Sequence, residues 1–216
     1  MRSLTISLLT LAIFSVFLFT SCQSSLAESV NSGTVLFQDD FSNPSSGWMH
    51  GTDSNGNIAD YSKGGFRIFV NTNIESYISI PHLQFTDVRI EVEASKIGGP
   101  DDNDFGVVCR FQDEKNFYFF EISSDGYYGI GKFKNDQLIL LNNEKMQASE
   151  IIHQGNGSNH LRADCNHSDL TFYVNGQKLI QLNDTDFKTG DVGLIAGTFK
   201  TPGTDILFDN FTVIKP

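Results

Sequence analysis

The chain is short of positive charge. Fifteen Lys and Arg stand against 26 Asp and Glu, a formal net charge of −11 over 216 residues. That shortage excludes non-specific nucleic-acid binding, which is driven by cationic contacts to phosphates. It equally excludes docking on anionic lipid through a basic patch. Histidine is sparse and dispersed, at His50, His82, His153, His160 and His167, and makes no zinc-type spacing with the three cysteines. There is no Gly-x-Ser-x-Gly elbow for a hydrolase nucleophile, and no glycine-rich phosphate loop leading into a helix. A single Trp and six Tyr are set against 19 Phe. With 39% hydrophobic and 19% charged residues, the chain is too apolar and too weakly charged to stay disordered. Its length sets an expectation of one domain with one large core.

The first segment reads as an address. Arg2 is followed by an apolar stretch, Leu4–Phe19, and then by small residues, the pattern of a secretory signal peptide. At 16 residues the stretch is shorter than the roughly 20 that a membrane span needs. Its end, Leu18-Phe19-Thr20-Ser21-Cys22, resembles the lipobox of bacterial lipoproteins, in which the Cys is acylated and becomes the mature N-terminus. Phe19 departs from that pattern, where Leu is usual. Cleavage after Ala27 is the competing reading and would release a soluble protein. The expectation is a signal peptide over 1–21, lipidation at Cys22, a flexible Ser/Asn/Gly-rich tether over 22–34 and a folded body over 35–216. The protein is then exported and lipid-anchored, with its domain facing outside the cytoplasm. Cys109 and Cys165 remain. Export favours a disulfide between them over two separately buried thiols, and the closed loop would add roughly 3–4 kcal/mol.

From residue 35 onward, short apolar runs are punctuated by Gly, Asn and Asp. Candidate strands are 35–41, 65–70, 76–80, 87–94, 105–111, 117–123, 127–133, 137–141, 160–165, 169–174, 178–182, 191–198 and 206–214. The clearest alternation puts Val88, Ile90, Val92 and Ala94 on one face and Asp87, Arg89, Glu91 and Glu93 on the other. Asp125-Gly126 and Asn175-Gly176 read as hairpin turns of type I′. Residues 146–152 could hold one helical turn. Many short strands with no strong helix imply a sandwich or barrel. Pairing the first strand with the last would close one sheet on itself and protect two edges.

Several stretches carry a family resemblance. They are Asp39-Asp40-Phe41 with Gly47-Trp48, Phe105–Phe111, Asn116–Phe120 and Ser124–Tyr128. Leu170–Gly176, Gly190–Leu194 and Phe208–Phe211 complete the set. Together they resemble a concanavalin A-like lectin/glucanase jelly roll, similar to laminin G-like and 3-keto-disaccharide hydrolase-like domains. The resemblance implies an all-β, antiparallel two-sheet jelly-roll sandwich over about residues 35–215. It says little about function, because such folds host lectins, glycosidases and interaction modules. It also implies a structural calcium near the joined termini, for which Asp39, Asp40 and Asp209 would supply hard oxygen ligands. A second acidic run, Asp101-Asp102-Asn103-Asp104, lacks the spacing of an EF-hand loop. For either cluster the plainer reading is a polar turn.

The most enzyme-like feature is Glu91 and Glu93, two apart on one strand face and so roughly 6.5–7 Å apart at Cα. That separation permits glycosidase chemistry. However, neither Arg89-x-Glu91-x-Glu93 nor Asp87-x-Arg89-x-Glu91 matches the Glu-x-Asp signature of family-16 glucanases, and Arg89 would hold Glu91 ionised. Sugar recognition uses aromatic faces with polar groups beside them. The candidates are Trp48, Tyr127 and Tyr128, with Arg110 and Arg162 as donors; Tyr61, Tyr77 and Tyr118 are weaker. One of the adjacent Tyr127 and Tyr128 must point away from the core. Arg110 shares a face with Gly106 and Val108 by alternation, and if half-buried needs a partner such as Glu91 or Glu121. The leading expectation is a surface-tethered, non-catalytic module that recognises an extracellular polysaccharide or glycan. The alternatives are a glycoside hydrolase of the same fold, and a structural or protein-binding envelope lipoprotein.

Overall fold

A computed structural model describes residues 31–73 and 75–216. The expected signal peptide, the acylated Cys22 and nearly all of the expected tether lie outside the described residues. Sixteen strands run in chain order through this body. The first eight are β1 (Val35–Asp39), β2 (Gly51–Thr52), β3 (Ile58–Ser62), β4 (Gly65–Val70), β5 (Glu75–Ser79), β6 (Val88–Gly98), β7 (Asn103–Asp113) and β8 (Asn116–Ile122). The rest are β9 (Tyr127–Lys134), β10 (Gln137–Leu140), β11 (Gln147–Ala148), β12 (Ser158–Asn166), β13 (Asp169–Val174), β14 (Gln177–Asn183), β15 (Asp191–Thr198) and β16 (Thr204–Ile214). They form a nine-stranded sheet, in the order β14-β13-β12-β6-β16-β4-β3-β2 with β1 also on β16. Facing it is a seven-stranded sheet, β10-β9-β8-β7-β15-β5 with β11 also on β9. Residues 146–152 contain the short strand β11 and a turn at Glu150–Ile151, not the helical turn that their sequence allowed.

The nine-stranded sheet is half-buried, and its strands alternate as such strands should. In β6, Val88, Ile90, Val92 and Ala94 are buried while Arg89, Glu91 and Glu93 face outward. In β16 the buried set is Ile206 and Phe208, then Phe211 and Val213. The change of phase falls at Asn210, whose φ of +54° makes a bulge. That bulge lets one edge of β16 serve two strands, β4 along its first half and β1 along its second. First and last strands therefore pair as expected, but the sheet does not close. It stays open, with β14 and β2 at its ends. The turns also differ from each other. Asn175 and Gly176 both have positive φ, as a two-residue type I′ turn requires. Between β8 and β9 only Gly126 does, and the loop is the four residues Ser123–Gly126, closed by the Gly126 N–H on the Ser123 carbonyl.

The seven-stranded sheet is apolar on both faces. Phe105, Val107, Tyr118, Phe120, Ile122, Ile130, Val192, Leu194 and Ala196 turn inward to the main core. Val108, Phe117, Phe119 and Ile195 turn outward into a separate cluster with Ile78, Phe111, Phe133 and Leu140. Phe117 and Phe133 stack there at 5.0 Å, and Phe119 lies across Gly131, where any β-carbon would meet its ring. This is why β15 is buried from end to end.

Cys109 on β7 is bonded to Cys165 on β12, so one disulfide staples the two sheets through the core. Replacing both cysteines with Ala should lower stability by about 2–4 kcal/mol in chemical denaturation without changing the native fold. An unchanged midpoint would show that the staple is energetically idle.

Candidate functional site

The residues nominated for ligand binding part company in three dimensions. Trp48 is in the core, against Phe41, Phe66 and Phe211 at ring distances of 5.3, 5.5 and 4.9 Å. Its indole N–H donates to Asp39 Oδ2 at 2.9 Å. Tyr128 packs against the main core, whereas Tyr127 is 42% exposed. Arg162 lies on the outer face of the nine-stranded sheet, bound to Asp164 through Nε and Nη2, with its guanidinium 4.2 Å from the Tyr173 ring centroid. Glu91 and Glu93 occupy the same face. Glu91 sits 3.6 Å from His160, and Glu93 accepts from Ser158 at 3.3 Å. These are cross-strand contacts on a solvated surface, the arrangement expected of a polar sheet face.

Arg110 corrects the alternation argument. Its φ of +51° and the register shift after Cys109 make a bulge, so Arg110 turns toward the nine-stranded sheet as Cys109 does. Its partner is Asp87, at 3.3 Å, not Glu91 or Glu121. The guanidinium also donates to the carbonyls of Thr86, Phe187 and His167, at 3.2, 2.8 and 2.6 Å. It borders a cleft of about 350 Å³ that includes Lys188 and Ser168. Four hydrogen bonds and near-complete burial make Arg110 a clamp on three chain segments.

The acidic clusters also separate. Asp39 Oδ1 accepts from the Phe41 N–H and Oδ2 from Trp48. Asp40 accepts from both Ser42 donors, and Asp209 from the Asn210 N–H. These oxygens brace turns. Among the described residues no group of three or more His, Cys, Asp or Glu is placed to hold a metal ion. In the second run, Asp101 pairs with Lys96, and Asn103 ties its loop to Ser124.

Asp104 behaves differently. It lies on β7 with its side chain on the outer face of the seven-stranded sheet, beside Glu121 of β8. Register puts Tyr127, Ser123, Asp104, Gly197 and Ser76 in one row across that face. The next row is Gly129, Glu121, Gly106, Ile195 and Ile78. Asp104 and Glu121 are thus diagonal neighbours, ~7–8 Å apart along the backbone. Asp104 bends over Gly197, where a β-carbon would come 2.1 Å from its Oδ1 and 2.7 Å from Ser76 Oγ. Gly197 leaves the space that Asp104 occupies. Both acids are over nine-tenths buried, and Asp104 Oδ1 has no hydrogen-bond partner. Burial, reinforced by the charge of Asp102, pushes Asp104 up to about 7. Burial, reinforced by Asp104, lifts Glu121 well above the ordinary carboxylate range. The charges acting on the pair are acidic, with no cation offsetting them.

The candidate site is therefore this stretch of outer sheet: two buried carboxyls, one oxygen unpartnered, an exposed tyrosine on the rim, and glycines between them. Its rim is braced, since Ser124 and Gly126 accept from the N–H groups of Gly155 and Ser149. Sequence reasoning placed Asp104 in an acidic loop and Glu121 as a partner for Arg110. Nothing in the linear order signals that they meet; strand register alone does it.

An acid held above its unfolded pKa favours the folded state while it keeps its proton. That contribution is complete below about pH 4 and is lost as pH rises toward 7. Asp104→Asn should therefore be more stable than the parent at pH 8, on the order of 1–3 kcal/mol, and the gain should shrink toward pH 4. Denaturation curves at the two pH values check this; a destabilised variant at pH 8 would mean that Asp104 is stabilised by a partner.

No protein-family model matches the chain, and no curated protein matches its sequence. Solved structures do. The carbohydrate-binding module CBM66 from Bacillus subtilis superposes with a TM-score of 0.63 at 16% identity, covering 78% of this chain and 95% of that one. A Bacillus subtilis protein of unknown function with a galectin-like fold gives 0.63 at 11% identity, covering 86% and 97%. An endo-acting O-glycanase from human gut microbiota members gives 0.59 at 10% identity, covering 85% and 100%. At these identities the likeness establishes the fold, and the chain is an antiparallel two-sheet jelly-roll sandwich.

Proposed function

We propose that the protein is an exported, lipid-tethered domain that recognises extracellular glycans without cleaving them. The observation that carries this reading is the outer face of the seven-stranded sheet. It holds hydrogen-bonding groups that the fold does not use, Asp104 foremost, next to an exposed aromatic ring. A buried acid with an unsatisfied oxygen lowers stability, and such a cost is typical of a group kept for a ligand. Tyr127 supplies the apolar face on which a pyranose can stack, and the carboxyls supply directional contacts to its hydroxyls. The solved structures of similar fold include a carbohydrate-binding module and a glycanase, which agrees with this reading.

A glycoside hydrolase of the same fold is the second reading. The observation that favours it is the same pair, because a buried carboxyl that keeps its proton near neutrality suits a general acid.

The full chain in detergent, run in affinity gels containing plant, algal and bacterial polysaccharides, should be retarded by at least one of them and release no sugar. Tyr127→Ala should weaken that retardation several-fold, while Tyr173→Ala on the opposite sheet should leave it unchanged. Released sugar would replace recognition with hydrolysis, and a chelator-sensitive retardation would bring calcium back into the account. For the anchor, Cys22→Ser should abolish incorporation of labelled palmitate and move the protein from the membrane fraction to the soluble one. Incorporation that persists would contradict the lipobox assignment.

A further inference from the structure

The pair of acids also bears on which glycans the site can take, an inference that rests on the recognition reading above. Asp104 and Glu121 sit on neighbouring strands of one face, and the groups around them are small or neutral: Ser76, Ser123, Gly106, Gly129 and Gly197. The ionisable groups that bear on the pair from adjoining elements are Asp102 on the loop before β7, Asp125 bound to Ser123 Oγ, and Tyr127 at the start of β9. The nearest basic residues along the chain are engaged elsewhere: Arg110 pairs with Asp87, Lys115 with Asp136, and Lys96 with Asp101 and the Gly99 carbonyl.

Three classes of glycan can be weighed against this setting. An anionic sugar, uronate or sulfate, brings like charge to two acids in a chain of net charge −11. A cationic amino sugar must shed its hydration to reach carboxyls that are over nine-tenths buried, which costs several kcal/mol per ion. An uncharged ring costs far less to desolvate, and each of its hydroxyls both donates and accepts. Two close acids with no counter-charge hold at least one proton between them over part of the neutral range. They then offer one acceptor-only group beside one that donates.

We propose that Asp104 and Glu121 select uncharged glycans, hydrogen-bonding two neighbouring hydroxyls of one sugar ring as it stacks on Tyr127. The carboxyl that keeps its proton donates to one hydroxyl, and the ionised one accepts from the other. Gly197 matters because a β-carbon there would come 2.1 Å from Asp104 Oδ1 and displace the carboxyl. Asp104 Oδ1, unpartnered in the protein, takes its partner from the ligand.

Calorimetric titration tests this on the full chain in detergent, using hexamers of xylose, glucose and mannose as uncharged probes. Hexamers of galacturonate and of glucosamine serve as the charged ones. At least one uncharged hexamer should bind 10-fold or more tightly than either charged hexamer. Asp104→Asn and Glu121→Gln should each weaken that binding 10-fold or more. Their melting temperatures at or above that of the parent would show that the fold is intact. The parent's affinity should vary with pH across pH 5–8, and the Asp104→Asn variant's should not. Galacturonate or glucosamine bound as tightly as the best uncharged hexamer would overturn the selectivity. Binding of an uncharged hexamer that neither variant weakens would move the site off this pair while leaving glycan recognition standing. No binding by any hexamer or polysaccharide would overturn recognition itself and this inference with it.

Discussion

The fold depends on the packing of two sheets through a single layer of apolar side chains, and on the place where that layer is pinned. Cys109 and Arg110 are consecutive on β7, yet both engage the opposite sheet. Arg110 can follow Cys109 inward because it adopts a left-handed backbone conformation that breaks the strand's alternation. Cys109 then crosses the core to Cys165, while Arg110 gathers the carbonyls of Thr86, Phe187 and His167 and the carboxylate of Asp87. Cys109 reaches the other sheet by the strand's ordinary alternation, and the distortion that follows it adds a hydrogen-bonded clamp beside the covalent link. The chain segments 86–87 and 167–168 take their positions from it.

With the sheets fixed, their outer faces become different materials. The nine-stranded sheet presents ion pairs to water: Arg67 with Asp205, Arg89 and Arg162 with Asp164, and Glu91 near His160. Such pairs are screened and contribute little, but they keep the face soluble. The seven-stranded sheet instead carries a second apolar cluster on its outer side, dominated by phenylalanine. That cluster reaches the row of Glu121 through Ile195 and Ile78. Phe119 lies one row on, so packing on the site's own face contributes to the burial that raises the proton affinity of Glu121.

The chain makes that site by subtraction as much as by addition. Gly197 leaves the volume that Asp104 fills, and Gly131 leaves the volume under Phe119. A strand with ordinary side chains at these positions would push both groups outward into solvent. Asp104 would then lose the burial that distinguishes it.

Much of the architecture was legible from residue order. Period-two alternation in β6, the Asn175-Gly176 turn, the pairing of the first and last strands and the Cys109–Cys165 link all follow from local chemistry or from simple counting. Such features need only a residue and its near neighbours. The bulges at Arg110 and Asn210 were not legible, because a left-handed residue inside a strand has no compulsory sequence sign. Misreading Arg110 sent it to the wrong face and the wrong partner. The meeting of Asp104 with Glu121, 17 positions later in the chain, was hidden for a related reason. Neighbours across a sheet are set by register, and register is an outcome of the whole packed sandwich. Residue order determined a disulfide-linked, all-β chain with little use for positive charge. Tertiary packing alone decided which of its many carboxylates would be withdrawn from water and left with an oxygen to offer.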